Sequence, residues 1–271
     1  MMSRNKIILL SAVMVVMVSA IAFSLRPRGK QPGEILILCG GSMRAAIDQV
    51  VAEYRKVSTD SVLVSYGDSS EFTVQLQRTQ KGDILVCHDP FMPWAMELGL
   101  IEQSANVARV DIVIVVPKDN PKGIRELKDL GQAGLRLGLS DPKYSTAGQI
   151  EAEILGKVDY GPAVLKNVKL ETRGHQALCT DVQIGALDAA IVWNAVAGQW
   201  TNSLLVIPVP KDNIPALHLE PFKKCDMRNI NVAIGITRYA EGNERVKRFY
   251  DFAITRKDIF TRLGFAPVKE Q

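Results

Sequence analysis

The sequence predicts an α/β fold of largely parallel sheets covered by helices on both faces, and three observations carry that prediction. Residues 35–38 read ILIL, apolar at every position, as in a strand buried on both sides. Directly after it, Met43, Ala46, Ile47, Val50, Val51 and Tyr54 recur at helical spacing and make one apolar stripe. From residue 33 onward, short apolar runs and helical patterns keep alternating, as in successive βαβ units. A chain of 271 residues can bury the core of one large domain or two small ones.

The elements follow in order. Residues 62–64 (VLV) read as a strand, and YGDSSEFTVQLQR turns from it into a helix. Residues 84–87 and 111–117 (DIVIVVP) are strands, and LRLGLSDPKYSTAGQIEAEIL gives a strand, a polar loop and a helix from about Thr146. RGHQALCTDVQIGALDAAIVW gives a helix and then a strand. INVAIGI (230–236) is a late strand, and NERVKRFYDFAI and KDIFTRL close the chain as helices. The stretch from Pro208 to Pro221 is proline-rich and reads as a long loop.

Before all of this, residues 7–25 form an uncharged apolar run behind Arg4 and Lys6. Its length suits a bilayer span, and Ala20-Ile21-Ala22 offers a small-residue cleavage site, so residues 1–30 are expected to be a signal peptide or an N-terminal membrane anchor. The formal net charge of +4 comes from this segment, where five of the 33 basic residues lie and no acid does. Without it the chain is about neutral and lacks the basic face and interleaved aromatics that nucleic acid requires. Four cysteines, Cys39, Cys87, Cys179 and Cys225, include no Cys-x-x-Cys pair, so zinc or thioredoxin-like chemistry has no local support. Outside the cytosol, Cys39–Cys87 and Cys179–Cys225 are candidate disulfides, with buried thiols as the alternative.

Several strand ends run into a Gly-, Ser- or Thr-rich turn that opens a helix: Gly40-Gly41-Ser42, Gly67-Asp68-Ser69-Ser70, Ser145-Thr146-Ala147-Gly148 and Gly174-His175. Ser42 is expected at an N-cap, and Asp68 is expected to cap the second of these helices. Ligands of open α/β sheets bind at the carboxyl ends of the strands. Helix starts gathered there present unpaired N–H groups and the positive end of the macrodipole, which suits a small anion.

In order and spacing, CGGSM, YGDSSEFTVQLQ, GDILVCHD, VDIVIVVPKDN, SDPKYSTAGQIEAEIL, ALDAAIVWNAVA and RVKRFYDFAITRKDIFTRLGF resemble the molybdate-binding proteins of bacterial ABC importers, from residue 35 to the C-terminus. The resemblance implies a two-lobed type II periplasmic binding protein. Residues 33–115 would start lobe one, 116–229 form lobe two and 230–271 return to lobe one, with crossovers near 113–117 and 228–234. It further implies Ser42, Ser69 and neighbouring Ser70 as hydroxyl ligands, backbone N–H donors at Ala147 and His175, and Trp193 where the family often has a tyrosine.

The expected function is thus capture of a small oxyanion, molybdate or tungstate for instance, at the periplasmic (extracytoplasmic) face of the membrane, by a monomer that serves an ABC permease. Phosphate and sulfate are alternative ligands, and a ligand-sensing lobe for a membrane partner is an alternative role. His88 is a further candidate contact. No Gly-x-Ser-x-Gly elbow, Walker loop or zinc spacing occurs, so neither catalysis nor a cofactor is expected.

Overall fold

The computed structural model describes residues 33–211 and 228–269. The N-terminal segment, most of the Pro208–Pro221 stretch and Cys225 lie outside them, and no helix among the described residues is long and apolar enough to cross a membrane.

Two five-stranded sheets are built from β1 (Ile35–Gly40), β2 (Val62–Gly67), β3 (Ile84–His88), β4 (Ile101–Val110), β5 (Ile112–Pro117), β6 (Leu137–Ser140), β7 (Val168–Thr172), β8 (Ala189–Trp193), β9 (Leu204–Pro208) and β10 (Ile230–Thr237). Their orders are β2-β1-β3-β10-β4 and β7-β6-β8-β5-β9. In each sheet three strands run parallel, while β10 and β5 pair antiparallel with both of their neighbours. The chain leaves the first sheet at Asp111, just ahead of residues 113–117, and β5 lies wholly in the second sheet. It returns to the first sheet in β10, which wedges between β3 and β4.

Helices α1 (Arg44–Tyr54), α2 (Ser69–Thr79) and α3 (Phe91–Glu97) follow the strands of the first sheet. The second sheet carries α4 (Thr146–Lys157), α5 (Gly161–Leu165), α6 (His175–Gln183) and α7 (Asn194–Ala197), and α8 (Glu244–Ile254) and α9 (Lys257–Arg262) close the chain. Period-two alternation divides the first sheet into two faces. Ile37, Cys39 and Val86 pack with the apolar stripe of α1, whereas Leu38, Leu85 and Cys87 pack against Phe72 and Leu76 of α2 and Met92 of α3.

That division rules out the candidate Cys39–Cys87 bond in favour of the alternative, buried thiols. Cys39 pairs in register with Val86, so Cys87 points through the opposite face. Cys39, Cys87 and Cys179 are buried free thiols. Ser42 is not an N-cap either. A short 3₁₀ turn, Gly41–Met43, intervenes, and α1 starts from Met43 without a side-chain cap.

Candidate functional site

The carboxyl ends of β1, β2, β3, β6, β7 and β8 surround one cleft of about 640 Å³. Ser42, Ser69, His175 and Trp193 all line it, together with His88.

Ser69 opens α2 and is only 5% exposed, and its hydroxyl has no partner among the described residues. Gly40 makes room for it, because a Cβ there would sit 2.5 Å from Ser69 Oγ and 2.5 Å from Met43 Cε. The α2 cap is Asp68, as expected. Its Oδ1 accepts the N–H of Ser70 at 2.8 Å, the N–H of Glu71 at 3.3 Å and the Ser70 hydroxyl. The hydroxyl of Ser70 is therefore spent on Asp68, and Ser70 does not line the cleft. Ser42 Oγ reaches only the Met43 thioether, a weak acceptor, at 3.1 Å.

On the second sheet, α4 and α6 begin at Ser145 and Gly174 with no side-chain cap and no acid in the first turn. Their first N–H groups are left for another acceptor. Gly148 lets α4 press on the end of β6, since a Cβ there would meet the Ser140 carbonyl at 2.5 Å. Ser145 and Thr146 form the wall, while Ala147 is fully buried behind them.

Trp193, at the end of β8, is 3% exposed and lies between two imidazoles. Its ring centroid is 5.7 Å from that of His88 and 6.0 Å from that of His175. Its indole N–H has no protein partner among the described residues. Burial pushes His175 down to about 4, and the nearby His88 adds to the effect. Burial also lowers His88, against the opposing Asp89 carbonyl and the charges of Asp89 and Asp68. Both rings are therefore neutral near pH 7.

Arginines stand on both lips. Arg44 lies over the Tyr66 ring at 3.9 Å, and Arg173 over the Tyr144 ring at 4.1 Å. The Tyr66 hydroxyl donates to Asp48, and burial with that bond raises its pKa. Asp48, Asp68 and Glu71 bring carboxylates to the same wall. Sequence reasoning missed both arginines, although each flanks a helix start that it had singled out. The cleft thus offers hydroxyl, indole and backbone donors, two peripheral cations and a local group of acceptors.

Residues 35–266 match the family model described as bacterial extracellular solute-binding protein. Among solved structures, a periplasmic molybdate-binding protein of Azotobacter vinelandii is similar at 17% identity and TM-score 0.66, covering 88% of this chain and 100% of its own. A sulfate-binding protein of Mycobacterium tuberculosis gives 16% and 0.66, with 87% of each chain covered. A ferric binding protein of Campylobacter jejuni gives 16% and 0.63, with 88% of this chain and 87% of its own covered. At these identities the likeness is one of fold, and their ligands are their own.

Proposed function

The chain belongs to the bacterial extracellular solute-binding proteins and has the type II periplasmic binding fold, and from that premise we propose that it captures a small oxyanion for an ABC permease at the periplasmic face of the membrane. In this reading residues 1–30 carry the rest of the chain to that face. The observation that supports an oxyanion most is the wall of the cleft. It offers the Ser69 hydroxyl, the Trp193 indole N–H and the uncapped starts of α4 and α6, which are donors without partners among the described residues. Such donors stabilise negative charge without a bound counter-cation, and burial strengthens each bond.

Molybdate and tungstate are the first candidates by resemblance, with sulfate and phosphate beside them. Ser69 and Trp193 would hold the anion from the two sheets, and the N–H groups at Gly41–Ser42, Thr146–Ala147 and His175 would complete its shell. Ser42 joins by turning its hydroxyl from the Met43 sulfur, at little cost. Arg44 and Arg173 act at a distance, drawing anions to the mouth. Closure of the two lobes on the anion would give the permease a surface to recognise. Calorimetric titration of the full-length chain with molybdate, tungstate, sulfate and phosphate tests this. One anion per chain is expected, and no heat with any of them would end the reading.

A further inference from the structure

The wall of the cleft that carries His88 is built of acceptors, which is unusual for a site that takes an anion. His88 is 7% exposed and closes β3 at the cleft. Its Nδ1 lies 2.6 Å from the Asp89 carbonyl oxygen, which can only accept, so the ring proton sits on Nδ1. Asp89 is itself clamped, since its Oδ2 accepts the Asn231 backbone N–H and side-chain N–H, each at 2.9 Å. Nε2 is therefore a bare lone pair on the cleft wall, with no partner among the described residues. Phe91 at 5.5 Å and Trp193 at 5.7 Å hold the ring against rotation. Asp68 lines the same wall with its Oδ2 unused among the described residues, whose three bonds to it all fall on Oδ1.

An oxyanion with no proton would set its own lone pairs against these, whereas one O–H would convert the repulsion into a hydrogen bond. We propose that the cleft takes its anion together with one proton and that His88 determines this, favouring an oxyanion that brings its own O–H, such as monohydrogen phosphate or another phosphoryl group of that protonation state, over fully ionised sulfate or molybdate. The proposal rests on the oxyanion reading above. A fully ionised anion binds only if His88 takes up a proton at Nε2 and becomes the donor.

The groups facing His88 agree with this. Asp89 on its own strand end and Asp68 from α2 favour a proton there, and His175 from α6 is neutral. Arg44 and Arg173 lie on the lips, with Asp48 and Glu71 across the wall from α1 and α2. Burial keeps the empty His88 neutral, so its proton has to arrive with the ligand or from solvent.

The test is titration calorimetry of the full-length chain with inorganic phosphate, sulfate and molybdate, in two buffers of different ionisation heat, from about pH 6.5 to pH 9. Sulfate and molybdate should bind with uptake of about one proton, their affinity falling about tenfold per pH unit in the upper half of the range. Phosphate as the monohydrogen dianion should bind without uptake and with level affinity. Phosphate binding with none for the other two supports the proposal equally. In His88→Gln the amide N–H donates without titrating, so sulfate affinity should become level with pH and the preference for phosphate should collapse. Sulfate or molybdate binding to the native chain without proton uptake overturns the proposal, as does a pH slope that survives in H88Q. If no anion binds at any pH, the oxyanion reading itself falls and takes this proposal with it. The native proton count decides even if H88Q folds poorly.

Discussion

Glu151 should make this protein more stable in mild acid than at neutral pH, an effect opposite to that of an ion-paired carboxylate. It sits in α4 at 2% exposure, its Oε2 accepts the Ser140 backbone N–H at 2.8 Å, and its Oε1 has no partner among the described residues. Burial pushes its pKa from 4.5 up to about 8, and the bond from the Ser140 backbone N–H only partly opposes this. The folded chain therefore holds this proton across a window in which the unfolded chain has released it. Its stabilisation is complete below pH 4.5 and is lost as pH rises to about 8. Each pH unit within the window costs about 1.4 kcal/mol, so about 3 kcal/mol is gone by pH 7. For a chain of this size that corresponds to roughly 6–12 °C in Tm. Glu151→Gln removes the titration and keeps an acceptor for the Ser140 N–H. Scanning calorimetry of both proteins from about pH 5 to pH 8 should show Tm of E151Q minus Tm of the native chain widening as pH rises. A constant difference would refute the protonated, buried carboxyl.

Other expectations are more local. Gly40→Ala should cost about 1–3 kcal/mol of stability and weaken anion binding, because its Cβ displaces Ser69 Oγ and Met43 Cε; thermal melts and titration of the same sample check both. Asp68→Ala should cost about 1 kcal/mol in thermal melts through loss of the α2 cap, while Ser70→Ala, whose hydroxyl serves only that cap, should leave anion affinity unchanged in titration. Thiol titration of unfolded, unreduced protein should find at least three thiols, and two or fewer would contradict the free cysteines.

The buried architecture was legible because burial imposes a pattern. ILIL, DIVIVVP and DAAIVW became β1, β5 and β8, and Thr146 and His175 do open helices. What escaped notice lies where burial is partial. β4, with sequence IEQSANVARV, is an edge strand with Glu102 and Gln103 exposed, and its pairing with β10 is broken by bulges, which blurs the alternation. α3 is short and contains Pro93, so its stripe is too brief to read. At the site, Ser69 and His175, singled out at strand ends, and Trp193, singled out by the resemblance, line the cleft. Ser69 and Ser70 could not be told apart, because consecutive helical residues point about 100° apart and only the orientation of α2 decides which faces the cleft. The choice between a Cys39–Cys87 disulfide and buried thiols could not be made from sequence, since proximity of two strand ends says nothing about which face each thiol uses.

The most direct test of the central claim compares Ser69→Ala with the native full-length chain, by titration calorimetry with whichever of molybdate, tungstate, sulfate and phosphate binds. Among the described residues the Ser69 hydroxyl donates to no protein group, and it lies outside the Asp68 cap, so its loss should leave Tm nearly unchanged. If the cleft holds an oxyanion through that hydroxyl, the variant loses a charge-assisted hydrogen bond of about 1.5–3 kcal/mol and binds roughly ten- to hundredfold more weakly. Unchanged affinity in a folded Ser69→Ala protein would contradict the claim.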